Sequence, residues 1–379
     1  MQQVAFDVIV VGAGMAGTSV AAELSERCSV VLIERESHPA MHSTGRSAAS
    51  FIPSYRANNP ALRLLTRASG TFLKSPPVGF SEHALLKTRG LLTLLKGVSP
   101  QASQRGLKQL NAVLEHSIVE LPAADVKKRL PALSNEWLSA AWWESDVHDI
   151  DVHSLQQGYM RALAEHGGRF LSSQHVQPHW EQGAWHVPID GGIFSAPIIV
   201  NATGAWADEF AASAKVKPLG LQPKRRTAIL VTPPADYDSE GWPLVLAYDE
   251  SFYFKPDAGM LLVSPVDEHD SPPCDAQPDE LDIAYASDFA IQALDGLVIN
   301  RIAHSWAGLR TFAHDSTPVI GFDPTAPGFF WYAGQGGHGI QIAPATAKLA
   351  AALISGDDNS AELNDLGFCA EWVSPARFF

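Results

Sequence analysis

Three glycines near the start of the chain have the spacing of a phosphate-binding turn. Gly12-Ala-Gly-Met-Ala-Gly17 follows the β-rich run Phe6-Asp-Val-Ile-Val-Val11, and Glu34 stands 22 residues after Gly12, closing a second run, Ser29-Val-Val-Leu-Ile33. Gly12 allows a tight turn, Gly14 lets the backbone approach a pyrophosphate, and Gly17 lets helix and strand pack closely. Met15 and Ala16 are cofactor-binding candidates within this motif, and the N-terminus of the helix that follows would face the phosphates with free N–H groups and its positive dipole end. A carboxylate at position 34 suits ribose hydroxyls. NAD and FAD both fit this unit. A second cluster, Gln335-Gly-Gly-His-Gly339, precedes another helical stretch. A helix end there would stabilise the negative charge of a reduced flavin, which favours FAD; a glycine-rich packing turn is the plainer alternative.

The elements that must hold these residues follow from periodicity. Strand, glycine turn, helix over Thr18–Arg27 and second strand form one β-α-β unit. His42-Ser-Thr-Gly-Arg-Ser-Ala-Ala49 is expected to be a loop leading into a helix. Helices are expected over Ala61–Leu73, His153–His166 (ended by Gly167-Gly168) and Ile340–Ile354, with a further helix after Asn201-Ala-Thr-Gly-Ala-Trp206. Strands are expected at Leu91–Leu95, Ile198–Val200 and Phe329–Tyr332. Arg225–Thr232, Ser251–Lys255 and Met260–Val263 read as a second sheet. Between that sheet and the next helix, Asp267–Asp282 holds seven acidic residues and neither Lys nor Arg, so a solvated surface loop is expected.

Composition narrows the function classes. In 379 residues, 46% are hydrophobic and 18% charged, which supports a large core and about two domains. The net charge of −14 disfavours nucleic acid and anionic lipid as partners. Cys28, Cys274 and Cys369 lie far apart, so neither a disulfide framework nor a metal site is expected. The apolar stretch Val4–Ala22 contains Asp7 and lacks a basic start, so it reads as neither a signal nor a membrane span, and a cytoplasmic location is expected.

Taken together, Gly12–Gly17, Glu34, His42–Ala49, Asn201–Trp206 and Gln335–Gly339 resemble the D-amino-acid oxidase / glycine and sarcosine oxidase superfamily of FAD enzymes. Within it the chain is most similar to bacterial D-arginine dehydrogenases, through Leu219–Arg226, Asp249–Tyr253, Lys255–Met260 and Trp306–Arg310. The resemblance implies an α/β (α+β) fold, with a Rossmann-type FAD-binding domain (1–50, 146–215 and 305–379) interleaved with a mixed-sheet substrate domain (51–145 and 216–304). It implies non-covalent FAD on Glu34, Arg35, His42, Ser43, Thr44, Arg46, Ser47, Ala48, Val176, Gly204, Gly337, Gly339, Ile340 and Gln341. The implied reaction is oxidation of a D-amino acid to a 2-oxo acid and ammonia, with oxygen, a quinone or another electron acceptor.

The implied substrate clamp is Arg226, Arg310, Tyr55 and Tyr253, and bidentate guanidinium with phenol donors is apt chemistry for a carboxylate. Arg225 and Arg226 point to opposite faces of a strand, and the resemblance selects Arg226. His42, His314 and His338 are bases by type, each with a structural role as the plainer reading. Three positions depart from the family pattern in the side-chain pocket: Ser50, Leu91 and His338. Leu91 replaces the carboxylate that would pair a basic side chain, so neutral or apolar amino acids are expected rather than arginine or lysine. The alternatives are a sarcosine- or glycine-type amine oxidase, a 2-hydroxy-acid dehydrogenase, and a non-catalytic flavin-binding assembly protein.

Overall fold

Strands Val8–Val11 and Val30–Ile33 are buried at every residue. An unbroken apolar run of this kind belongs inside a parallel sheet covered on both faces. In the computed structural model, which describes residues 2–356 and 361–379, they are neighbours in a six-stranded sheet. Its order is Arg169–Leu171, Val30–Ile33, Val8–Val11, Ile198–Asn201, Phe329–Ala333 and Val319–Phe322, parallel except for the last pair. Alternate residues feed two cores. Val8, Val10, Val30 and Leu32 pack with helices Met15–Ser25, Pro60–Lys74, Val152–Glu165 and Gly339–Ser355. Ile9, Val11, Val31 and Ile33 pack with helix Ala207–Ser213 and with Trp185, Val187 and Phe194 of a four-stranded sheet.

The helices begin where their caps dictate. Asn59 accepts from Leu62 N and Asp151 from Ser154 N, each a short polar side chain satisfying a free N–H of the first turn. Helix Gly339–Ser355 stops at Gly356, whose φ of 70° is the left-handed terminator. The first helix starts earlier than periodicity suggests, at Met15, so the glycine turn runs directly into it. Among the described residues no helix is long and apolar enough to cross a membrane.

A nine-stranded mixed sheet forms the second layer system. Strand Gln222–Val231 pairs antiparallel with Ile302–Phe312 on one side and with Met260–Ser264 and His269–Asp270 on the other. The sheet continues through Tyr253–Asp257, Leu244–Ala247, Leu91–Leu94, Ala141–Glu144 and Val119–Leu121. In Tyr253–Asp257, Phe254 enters the core on one face and Tyr253 faces the other way, as a pleated strand requires.

Two expectations are corrected. No helix follows His42–Ala49: the chain enters the short strand Ser50–Phe51, fixed by pairing with His148 and Asp149, and the next helix starts only at Pro60. The acidic stretch is also no plain solvated loop. Asp267 and Asp282 are buried, because Arg225, on the far face of its strand, needs counter-charges; its Nη2 lies 2.9 Å from Asp282 and 3.6 Å from Asp279. From Glu280 the stretch is already helical.

Candidate active site

A cavity of about 550 Å³ opens at the carboxyl ends of the six-stranded sheet and continues onto the face of the nine-stranded sheet. Crevices at that end of an open α/β sheet are where such folds bind ligands. At one end it is built from backbone. Gly12 (φ 101°) has no room for a Cβ, which would stand 2.5 Å from Ala202 O, and a Cβ on Gly17 would overlap Gly12 O. Gly17 therefore packs the turn and does not line the cavity, whereas Gly12, Gly14, Met15 and Ala16 do. Met15 N donates to Thr44 Oγ1 at 2.9 Å, and the helix has no side-chain cap of its own. Glu34 is oriented by Ala13 N at 2.6 Å and Glu36 N at 2.9 Å.

The polar residues around this end divide by what they already hold. Ser43 Oγ donates to Leu309 O at 2.6 Å. The Arg46 guanidinium is committed to Ala276 O, Ala307 O and Asp275, so it supplies wall, not free charge. Arg35 pairs with Glu36 and lies 4.3 Å over the Trp206 ring. His42 Nε2 is 2.9 Å from Glu36 Oε1, while its buried Nδ1 has no partner among the described residues. Gln341 is also committed, accepting from Ile52 N and donating to Thr66. Ser47, Ala48, Val176, Gly204, Gly337, Gly339 and Ile340 line the cavity.

Whether these residues fit a dinucleotide can be judged from what they leave unsatisfied. Helix Gly339–Ser355 starts at the cavity without a side-chain cap, and at the start of helix Met15–Ser25 one side chain, Thr44, meets Met15 N alone. Gln335, between them, lines the cavity with a buried, unpartnered Nε2. Two helix starts without a cap from their own N-cap residues, and an orphaned amide donor, are what an anionic, hydrogen-bonding group would satisfy. FAD fits them.

The other end is built from side chains. In the register of Gln222–Val231 with Ile302–Phe312, Lys224 faces Arg310 and Arg226 faces Gly308. Arg226 and Arg310 are therefore diagonal neighbours on one face, and both line the cavity. Arg226 is 9% exposed; its Nε donates to Asp267 O and its Nη2 lies 2.9 Å from Glu268. Burial, then the like charge of Arg310, push its pKa down. Arg310 has no hydrogen-bond or ion-pair partner among the described residues. Both Arg310 and Tyr55 approach Gly337: a Cβ there would stand 3.0 Å from Arg310 Nη1 and 3.3 Å from Tyr55 Oη.

Tyr55 stacks on His338, ring centroids 4.6 Å apart. His338 is buried, its Nε2 unpartnered, and burial, then Arg310 and Arg56, drive its pKa down to about 3. It is a neutral ring behind the wall. Leu91 also lies behind the wall, opposite Leu244 in register and packed with Ile52, Leu246 and Tyr253. Ser50 lines the cavity. His314 is exposed against Phe378 and does not line it. Ile52, Ala228, Leu244, Leu246 and Val266 form an apolar wall beside the clamp that sequence reading missed, as it missed Trp206 and Glu250. Strand alternation could have shown that Leu244 and Leu246 share a face, but not which face meets the cavity.

Residues 7–353 match the family described as DAO, FAD dependent oxidoreductase. A glycine oxidase from Pseudomonas aeruginosa is 28% identical, with 92% of this chain and 94% of that protein covered. Another, from Bacillus licheniformis, is 24% identical over 93% of this chain and 94% of that protein. The fold is shared with the L-proline dehydrogenase of P. horikoshii, at TM-score 0.84 and 23% identity, covering 98% and 97% of the two chains.

Proposed function

Because the chain belongs to the DAO family of FAD dependent oxidoreductases, with FAD as its cofactor, we propose that it oxidises a D-amino acid with a neutral or apolar side chain. The products are a 2-oxo acid and ammonia, by way of an imino acid that water hydrolyses. Bound FAD supplies the acceptor for the hydride that leaves Cα. The chain's own part is to bind and orient. Arg226 and Arg310 take the substrate carboxylate, with the phenols of Tyr55 and Tyr253 completing its hydrogen bonds. The wall of Ile52, Ala228, Leu244, Leu246 and Val266 receives the side chain and excludes water from it. FAD is held non-covalently in this reading, as the family resemblance implies. The segments 1–50, 146–215 and 305–379 form the FAD domain of this reading, and 51–145 with 216–304 the substrate domain.

The observation that carries the reading is Arg310, a cavity-lining cation with no partner among the described residues, diagonal to buried Arg226. Such a pair suits an anion bound between them. One observation favours a second reading: Glu250 lines the same cavity and could hold a basic substrate side chain. The preference for the D configuration rests on the resemblance alone, and glycine or sarcosine would use the same clamp. Anaerobic mixing of the holoenzyme with D-leucine, L-leucine, D-arginine, glycine, sarcosine and D-lactate tests all of these. Bleaching of the visible flavin band by D-leucine is the expected result. Bleaching by D-arginine alone selects the Glu250 reading, and bleaching by glycine or sarcosine but not D-leucine overturns the substrate class.

A further inference from the structure

We propose that Glu144, together with His116, is a positioning residue that holds the Tyr55 turn in place for the substrate carboxylate. This rests on the clamp reading above. Residues 53–58 form a turn between strand Ser50–Phe51 and helix Pro60–Lys74. Its own backbone bonds are short-range: Tyr55 N to Ile52 O at 3.1 Å, Ala57 N to Ser54 O at 3.1 Å and Asn59 N to Arg56 O at 2.9 Å. Arg56 sits in the left-handed region at φ 56°, a conformation its side chain disfavours. Local forces alone leave the turn weakly specified.

The long-range tie comes from Glu144, 2% exposed, at the end of strand Ala141–Glu144 and opposite Leu91 in register. Its Oε1 accepts from Ser54 N at 3.1 Å and lies 2.8 Å from His116 Nε2. Its Oε2 accepts from the Ser54 hydroxyl. Among the described residues its hydrogen bonds thus go to the residue before Tyr55 and to one histidine. A buried carboxylate is costly unless its hydrogen bonds hold something in place. What it holds here is one end of Tyr55; His338, stacked on the ring, fixes the other. Glu144 touches neither the cavity nor the clamp, so it acts only through the turn.

His116 makes the tie sensitive to pH. Its hydrogen bond to Glu144 raises its pKa above 6.5 against the opposing effect of burial. Asp146 adds to the rise, and Lys74, itself 2.8 Å from Asp146, opposes it. Below the raised pKa the imidazolium donates a charge-assisted bond to Glu144; as pH rises through that value the bond weakens and the turn loosens.

The test uses benzoate as the carboxylate probe, titrated into the FAD-loaded protein and followed by the shift of the flavin spectrum. Glu144→Gln is expected to weaken benzoate about tenfold and to raise KM while changing kcat by less than about twofold, with FAD content unchanged. In a Tyr55→Phe background the same substitution is expected to cost less than about twofold, because its effect passes through the phenol. His116→Gln keeps the series informative should Glu144→Gln fail to fold; it is expected to flatten the loss of affinity with rising pH. Benzoate affinity equal to wild type in Glu144→Gln, an equal cost in both backgrounds, or an unchanged pH profile in His116→Gln each overturn the proposal. Arg310→Met reports on the clamp separately. If it loses benzoate binding while Glu144→Gln does not, only the positioning role fails; if it binds normally, the clamp reading itself fails.

Discussion

The two ends of the cavity are built by different means. The nucleotide end is made largely of main chain: a tight turn at Gly12, a helix start at Met15, and Glu34 oriented by two backbone N–H groups. The proposed substrate end is made of side chains, Tyr55 from a turn and Arg226, Tyr253 and Arg310 from strands, brought together across 254 intervening positions. Main-chain recognition is set within a few consecutive residues and tolerates little change in them. Side-chain recognition is assembled from distant segments, so each member can be removed while the rest stays in place.

That contrast should break first at the turn. Gly17→Val puts a side chain where even a Cβ overlaps Gly12 O, so the protein is expected to lose flavin or fail to fold. The ratio of flavin to protein absorbance should drop more than about tenfold, the largest class of single-site effect. Arg310→Met is expected to keep a full complement of FAD and lower kcat/KM about 10²–10³-fold, roughly 3–4 kcal/mol. Steady-state kinetics with absorbance-matched flavin content separates the two; a colourless Arg310→Met protein would erase the distinction between the ends. Tyr253→Phe removes one neutral donor and should cost about tenfold in kcat/KM.

The smallest effect at neutral pH concerns His338. Its folded pKa of about 3 lies below the unfolded value of 6.5, so the unfolded chain takes up a proton that the folded chain refuses. The stability it contributes is complete above pH 6.5 and is lost as pH falls toward 3. His338→Phe should therefore show a thermal midpoint that declines less steeply from pH 6.5 to pH 4 than wild type. Equal slopes would mean the ring is not held neutral.

The same contrast explains what could be read from the chain alone. The glycine turn, Glu34, and helices Val152–Glu165 and Gly339–Ser355 were legible because each is specified by neighbours in sequence: glycine spacing, an acid at a strand end, a 3.6-residue apolar period. The short strand Ser50–Phe51 was not, since it exists only through its pairing with His148 and Asp149. Asp267 and Asp282 were misjudged because charge density points to solvent, while the partner that draws them inward, Arg225, lies 42 and 57 positions away. The apolar wall at Leu244, Leu246 and Val266 escaped for a similar reason: alternation gives two faces and does not say which one meets the cavity.

The order of strands in the cofactor sheet has a consequence for how the protein comes into being. Ile198–Asn201 lies between Val8–Val11, made long before it, and Phe329–Ala333, made long after it. Until that late strand leaves the ribosome, Ile198–Asn201 presents an open edge, and helix Gly339–Ser355 has yet to cover Val8 and Val10. Such distant pairings slow folding and expose intermediates to aggregation. Synthesis of Phe329–Ala333 and of the helix that follows it, rather than synthesis of the glycine turn, is thus the event that closes the cofactor sheet and its helical cover, and only from that point can the cavity hold its cofactor.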